Sequence, residues 1–310
     1  MKTIIKSHSK SFECAVIYQL ILLMIISSCT SGGGSTKPAN DWDKQHLKGK
    51  VKSITETSFK VEEKFGEYVK GQRDGIHDQY DELNLQFNTD GNLTQELRIY
   101  LSGPASKRVY LFDNQRRCIE ERFSYIKRNE ESYRDQFSVK NYYDDYGNVI
   151  FKENYSPDGK ITEIDTLYYN KDGNLIEIKA FDTDGNMGGK VLYKYTKDGN
   201  ESEDAVYHPD GSILSKQSTD YDGPLKIKVS YQQYDHYQIM VYDQSQQIVE
   251  RSTYKIINTD KIINEDNLKL SSRWRFQYEY DEHGNWINQY QYQEDKKNPT
   301  FVVEREIEYY

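Results

Sequence analysis

The residues that could do chemistry are few and scattered along this 310-residue chain. The densest run of oxygen donors is Asp182-Thr-Asp-Gly-Asn186. A helix-flanked calcium loop needs Gly at its sixth position and Glu at its twelfth. Here Gly185 is fourth, and sister segments put Lys171 or Tyr146 where a ligand would stand. His208 and His283 lie far apart with no ligand spacing between them. Glu153 and Glu163 are the kind of carboxylate pair a glycosidase uses, but among 50 acids such pairs arise by chance. Gly32-Gly-Gly34 does not follow a strand, so it is no phosphate loop. Gly-x-Ser-x-Gly, His-Glu-x-x-His and Cys-x-x-Cys do not occur. The expectation is a protein with no catalytic residues, no metal and no cofactor.

Most of these residues sit inside one repeated phrase: an aromatic, polar residues, then Gly. Its copies are Tyr143 to Gly147, Tyr155 to Gly159, Tyr169 to Gly173, Phe181 to Gly185, Tyr195 to Gly199 and Tyr207 to Gly211. Asp, Asn, Ser, Thr or His opens each turn, Pro157 and Pro209 take the second place, and Asp usually precedes Gly. That order builds a type I turn closed by a left-handed Gly, which is a three-residue hairpin with a bulge. Phe87 to Gly91 and Tyr280 to Gly284 repeat it, while Phe112 to Arg116 and Tyr242 to Gln246 are degenerate. Left-handed backbone is therefore expected at Gly91, Gly147, Gly159, Gly173, Gly185, Gly199, Gly211 and Gly284.

The turn fixes a register. It places the aromatic four before Gly opposite the residue two after it, as in Tyr143/Val149, Tyr155/Ile161, Tyr169/Leu175, Phe181/Met187, Tyr195/Glu201 and Tyr207/Ile213. Phe87/Leu93, Phe112/Cys118, Tyr242/Ile248 and Tyr280/Trp286 follow the same rule. Even spacing between glycines implies that one face keeps these pairs throughout. Glu163, Asp165, Glu177 and Lys179 interrupt that apolar face. The predicted fold is all-β: an antiparallel meander of hairpins forming a curved sheet, with closure left open.

Net charge is −9, which argues against nucleic acid as a partner. There are 28 Tyr against 11 Phe, and Tyr suits half-buried strands. Residues 1–28 carry a basic start and the apolar run Ala15 to Ile26, too short to stay as a membrane span. The run ends in Ile26-Ser-Ser-Cys29, which resembles a bacterial lipobox. Cys29 would then be acylated, residues 29–44 would be a flexible tether, and residues 45–310 would be the β domain. Thr30 rather than Asp follows Cys29; by analogy with lipoprotein sorting this favours the outer membrane, in either leaflet. Cys118 would be left alone, as a small packed hydrophobe.

Tyr142-Tyr-Asp-Asp-Tyr-Gly-Asn148, Tyr168 to Leu175 and Tyr278 to Asn285 resemble the YD repeats of the Rhs family. The resemblance runs from about residue 87 to 292. It implies an antiparallel sheet that curls as repeats are added. Large members form shells around a toxin; this chain reads as a short form without the toxin part. The functional expectation is a binding or scaffolding module at the envelope. Membrane contact would run through the N-terminal lipid, and the partner would be a protein or a glycan. The candidate binding aromatics are Tyr278, Trp286, Tyr290 and Tyr292.

Overall fold

The computed structural model describes residues 40–65, 67–74, 81–100, 105–126, 134–257 and 265–310. Cys29, expected to be acylated, and the expected signal segment 1–28 lie outside them. The chain forms one 19-stranded antiparallel sheet. Its first strands are β1 (Val51–Lys64), β2 (Glu67–Arg73), β3 (Glu82–Phe87), β4 (Leu93–Ile99), β5 (Ala105–Phe112), β6 (Cys118–Ile126) and β7 (Arg134–Tyr143). Next come β8 (Val149–Tyr155), β9 (Ile161–Tyr169), β10 (Leu175–Asp182), β11 (Met187–Tyr195), β12 (Glu201–Tyr207) and β13 (Ile213–Asp222). The last are β14 (Leu225–Gln233), β15 (His236–Tyr242), β16 (Ile248–Ile256), β17 (Leu268–Tyr280), β18 (Trp286–Gln293) and β19 (Phe301–Tyr309).

From β3 onward each strand pairs with the next, and β1 closes the ring. One edge of β1 pairs with β19, from Val51 opposite Tyr309 to Lys60 opposite Phe301. Its other edge is shared: residues 53–57 pair with β3 and residues 59–64 with β2. The result is a closed 18-strand barrel, with β2 as an added hairpin arm. The curved sheet expected from sequence therefore goes all the way round. Closure removes the unpaired edges that an open sheet would expose.

The turns have the expected chemistry. In the β9–β10 hairpin Asn170 N–H donates to the Asn174 carbonyl (2.9 Å), and Gly173 N–H donates to the Asn170 carbonyl (3.0 Å). Asn170 Oδ1 accepts from Asp172 N–H and Asn174 N–H. The eight turn glycines have φ between +78° and +88°. Arg116 (+67°) and Gln246 (+62°) take the same conformation in the degenerate phrases. All ten expected cross-strand pairs are present, from Phe87 opposite Leu93 to Tyr280 opposite Trp286.

The faces differ from the expectation. Leu175 lies opposite Tyr169, but Glu177 lies opposite Tyr168, so Ile176 is an extra residue. The same bulge follows the other phrases. Each bulge flips the side-chain parity of the strand. The ring has one layer, so burial marks the lumen. Pairs on one rim (Tyr143/Val149, Tyr169/Leu175, Tyr195/Glu201) face the lumen, where Val149, Tyr169 and Tyr195 pack on a buried cluster. Pairs on the far rim (Tyr155/Ile161, Phe181/Met187, Tyr207/Ile213) face outward, and Ile213 is 55% exposed. Glu177 and Lys179 also face outward, where they pair at 3.2 Å. Glu163 and Asp165 stay inside.

The lumen is lined by separate apolar clusters. One is Leu167, Leu175, Ile178, Ala180, Val191, Tyr193, Val206 and Leu214. A second is Leu47, Val51, Ile54, Leu83, Leu85 and Phe87, against which Trp42 packs. Trp42 belongs to a helical turn, α1 (Asp41–Lys44), capped reciprocally by Asn40 and Asp43. Asp41 N–H and Trp42 N–H both donate to the Gly91 carbonyl (3.0 and 3.1 Å). Leu93 N–H donates to Asp41 Oδ2 (2.7 Å). Residues 40–44, expected in the tether, are thus fastened to the β3–β4 turn. Further on, Asn285 bonds both the N–H and the carbonyl of Lys48 (2.8 Å each). This near rim carries the N-terminal segment and both ends of the described fold.

Candidate functional site: the lumen acids and the outer wall

Two acidic pairs project into the barrel. Glu163 and Asp165 alternate on β9, which puts both on the lumen face; they are 1% and 0% exposed. Neither oxygen of Glu163 has a hydrogen-bond partner, nor does Asp165 Oδ1. Asp165 Oδ2 accepts from the Asn154 side chain at 3.3 Å. Lys152 stands opposite Asp165 and Asn154 opposite Glu163. Burial, and then the neighbouring Asp165, raises Glu163 far above the usual carboxylate range. Burial also raises Asp165, against the pull of Lys152 and Asn154. Isolated buried charge is costly, so such groups hold their protons.

The second pair is Glu201 and Asp204 on β12. Burial, and next Asp204, pushes Glu201 up to about 7, while Lys226 opposes the shift. Burial pushes Asp204 up to about 6, although Gln217 donates to it at 3.1 Å. His46 is held below its ordinary value by burial and then by Lys226 and Lys48. Among the lumen cations, burial holds Lys226 and Arg251 below their ordinary values, whereas Arg305 is matched. Arg305 donates twice to Glu56 Oε1 (2.9 and 2.7 Å) and lies 3.4 Å over the Trp286 ring.

The four candidate aromatics do not form one site. Tyr278 and Trp286 face the lumen, in edge contact with centroids 5.9 Å apart, and Trp286 is buried. Tyr290 and Tyr292 sit on the outer face, bonded to Glu279 (3.1 Å) and Gln277 (2.9 Å). The bulge after Gly284 and strand alternation separate them. His208 lies in a far-rim turn, and His283 stacks on Tyr309 with centroids 4.1 Å apart. Asp182 uses its carboxylate on its own turn, accepting from Asp184 N–H and Asn186 N–H. Glu153 faces outward and Glu163 inward, so they cannot act together. Among the described residues no group of three or more His, Cys, Asp or Glu could hold a metal ion. The acids that do share the lumen were signalled by Glu163 and Asp165 breaking an apolar face and by Glu201 as the acid in the Tyr195/Glu201 pair; nothing marked Asp204.

The near-rim tyrosines have a shared role. Tyr143 O–H donates to the Cys118 carbonyl (2.7 Å), and Tyr169 O–H to the Val149 carbonyl (2.8 Å). Tyr195 O–H donates to the Leu175 carbonyl (2.7 Å), and Tyr221 O–H to the Glu201 carbonyl (2.7 Å). Tyr278 O–H donates to the Ile248 carbonyl (2.8 Å). Each acceptor is the first residue after the preceding near-rim turn, so the hydroxyls tie one hairpin to the next.

The outer wall is polar and charged. Lys194 and Lys216 both reach Glu203 (2.7 Å each), Arg122 pairs with Glu120 (2.9 Å) and Lys70 with Glu304 (2.7 Å). A barrel that spans a bilayer carries an outward apolar band about 25 Å tall. This wall instead interleaves such ion pairs with exposed Tyr142, Tyr168 and Ile213.

No family model matches the chain, and no curated protein matches it. Among solved structures it is similar to a porin-like protein from Bacteroides uniformis ATCC 8492. That likeness has 13% identity and a TM-score of 0.38, covering 83% of this chain and 96% of that one. A porin-like protein from Bacteroides vulgatus ATCC 8482 is similar at 12% identity and a TM-score of 0.26, covering 84% of this chain and 98% of that one. The Photorhabdus luminescens Tc holotoxin pore is similar at 11% identity and a TM-score of 0.28, covering 73% of this chain but 15% of that one. These are loose likenesses of all-β architecture.

Proposed function

We propose that the protein is a lipid-tethered envelope protein whose YD-repeat-like barrel is a non-catalytic binding module for a protein partner. The observation that carries this reading is the outward row on the far rim. Tyr155/Ile161, Phe181/Met187 and Tyr207/Ile213 lie on three successive far-rim hairpins and face outward, with Ile213 55% exposed and the other five half-buried. Side chains line the lumen beneath them, and residues 40–48 are fastened along the near rim to the β3–β4 and β17–β18 turns. Clustered aromatics on an otherwise charged surface are the usual anchors of protein interfaces. The row lies at the end away from the point where residue 40 enters, so a tether through Cys29 would leave it free.

A glycan ligand is the second reading. Tyr142 O–H and Tyr155 O–H both donate to Glu153 on the outer wall, and Tyr142 lies against Phe151 with centroids 5.4 Å apart. Aromatic faces beside a carboxylate are what sugar recognition uses.

The experiment compares Tyr207→Ala/Ile213→Ala with Tyr142→Ala/Glu153→Gln. The protein reading predicts that the first variant loses an envelope protein cross-linked by the wild type and the second keeps it. Loss of binding on a glycan array in the second variant alone would reverse the assignment. Turnover of a glycan or peptide by the purified protein would overturn both.

A further inference from the structure

The acids on β9 do more than line the barrel. Two carboxylates lie two residues apart on one face, both fully buried, and three of their four oxygens have no partner. Two like charges buried side by side, with Asn154 the one side-chain donor to either of them, are too costly for both to persist. The neighbours define the charge balance. From β8, Lys152 faces Asp165 and Asn154 faces Glu163; from β10, Ala180 faces Asp165 and Asp182 faces Glu163. Asp182 is occupied by its own turn, and its carboxylate sits below the usual range because Asn186 and the turn N–H groups donate to it. One cation therefore meets two buried acids.

We propose that Glu163 and Asp165 are a proton-holding pair that ties closure of the β8–β10 wall to pH. With one proton shared, the pair carries one negative charge opposite Lys152 and the wall closes neutral. When that proton leaves to solvent, an unpaired charge remains in the packed lumen and the wall loosens. The geometry sets the sign. The folded barrel binds a proton that the unfolded chain releases at ordinary carboxylate pH. Its contribution to stability is complete below the unfolded carboxylate values and is lost as pH rises through the raised folded value. Each linked proton costs about tenfold in the folding equilibrium per pH unit inside that window.

The test uses the full mature chain and two readouts. Urea midpoints are measured from about pH 5 to about pH 9 for wild type and Glu163→Gln, which mimics the protonated acid. The expected result is a steeper alkaline fall for wild type by up to tenfold per pH unit, with amide exchange of β8–β10 rising in parallel. Subtracting the two curves removes the contribution of Glu201 and Asp204, which both proteins share. Parallel curves would overturn the proposal. Should the variant fail to fold, the carboxyl carbon-13 shifts of Glu163 and Asp165 in the wild type decide. Titration of one of them above neutrality supports the pair, and ordinary carboxylate titration of both overturns it.

Discussion

The tyrosine of each repeat phrase has a side-dependent job. On the near rim its ring packs inward and its hydroxyl holds the carbonyl beyond the previous hairpin. On the far rim the same position points outward. Tyr169→Phe and Tyr195→Phe are expected to cost about 1 kcal/mol each, because a partly buried carbonyl loses its donor. Tyr207→Phe, outward and far from that ladder, is expected to be near neutral. Urea denaturation of the three variants checks this. The left-handed turn positions give a second expectation. Arg116 holds φ +67°, which costs a non-Gly residue about 1–2 kcal/mol. Arg116→Gly should therefore stabilise, by about 1 kcal/mol after losing its exposed ion pair with Asp90. Gly173→Val should destabilise by at least about 1 kcal/mol. At this scale the sequence was a good guide, since turn chemistry is local. Cys118 opposite Phe112 was legible for that reason. The tyrosine ladder was not, since its acceptors lie some 20 residues away.

At the scale of elements, the hairpins could be read and the face of each strand could not. Glycine spacing counts residues, but a bulge consumes one without advancing the ladder. That is why Glu177 and Lys179 look lumen-facing in sequence and stand outside. It is also why Tyr278 and Tyr290, an even twelve residues apart, lie on opposite faces. The helical turn α1 was hidden for a different reason. Asn40 to Lys44 is too short to show periodicity, and its placement depends on Gly91. A Cβ at Gly91 would lie 2.4 Å from Asn40 Nδ2 and 2.6 Å from the Trp42 ring. Gly147 has a similar φ but nothing within 4 Å. Gly91→Ala should expose residues 40–48 to protease and amide exchange, whereas Gly147→Ala should show only its backbone strain. The β12 acids add a pH dependence of the same sign as that of β9. Glu201 and Asp204 are raised to about 7 and about 6. Their stabilising contribution is complete below ordinary carboxylate values and lost as pH rises through 6 to 7. Asp204→Asn should flatten the urea midpoint between the ordinary carboxylate range and about pH 6.

At the scale of the molecule, the long β1 strand decides the shape. Fourteen residues let it bridge β19 on one side and two strands on the other. Closure joins segments some 250 residues apart, and no local signal carries such a pairing. The N-terminal reading makes its own prediction. Cys29→Ala should abolish palmitate labelling and leave an unprocessed precursor; labelling that persists would remove the lipid tether from the account.

The outward polarity of the wall is the feature on which the proposed role turns. Single cysteines at Lys179, Lys194, Glu203 and Arg122, in a Cys118→Ser background, sample the outer face of separate strands. The measurement is their labelling by a hydrophilic maleimide, with the protein bound to lipid vesicles and with it free. A tethered barrel in water predicts equal, rapid labelling at all four positions in both states. A band of mid-wall positions protected only in the presence of lipid would mean that the barrel spans the bilayer, and would contradict a role for the outer wall in binding a partner.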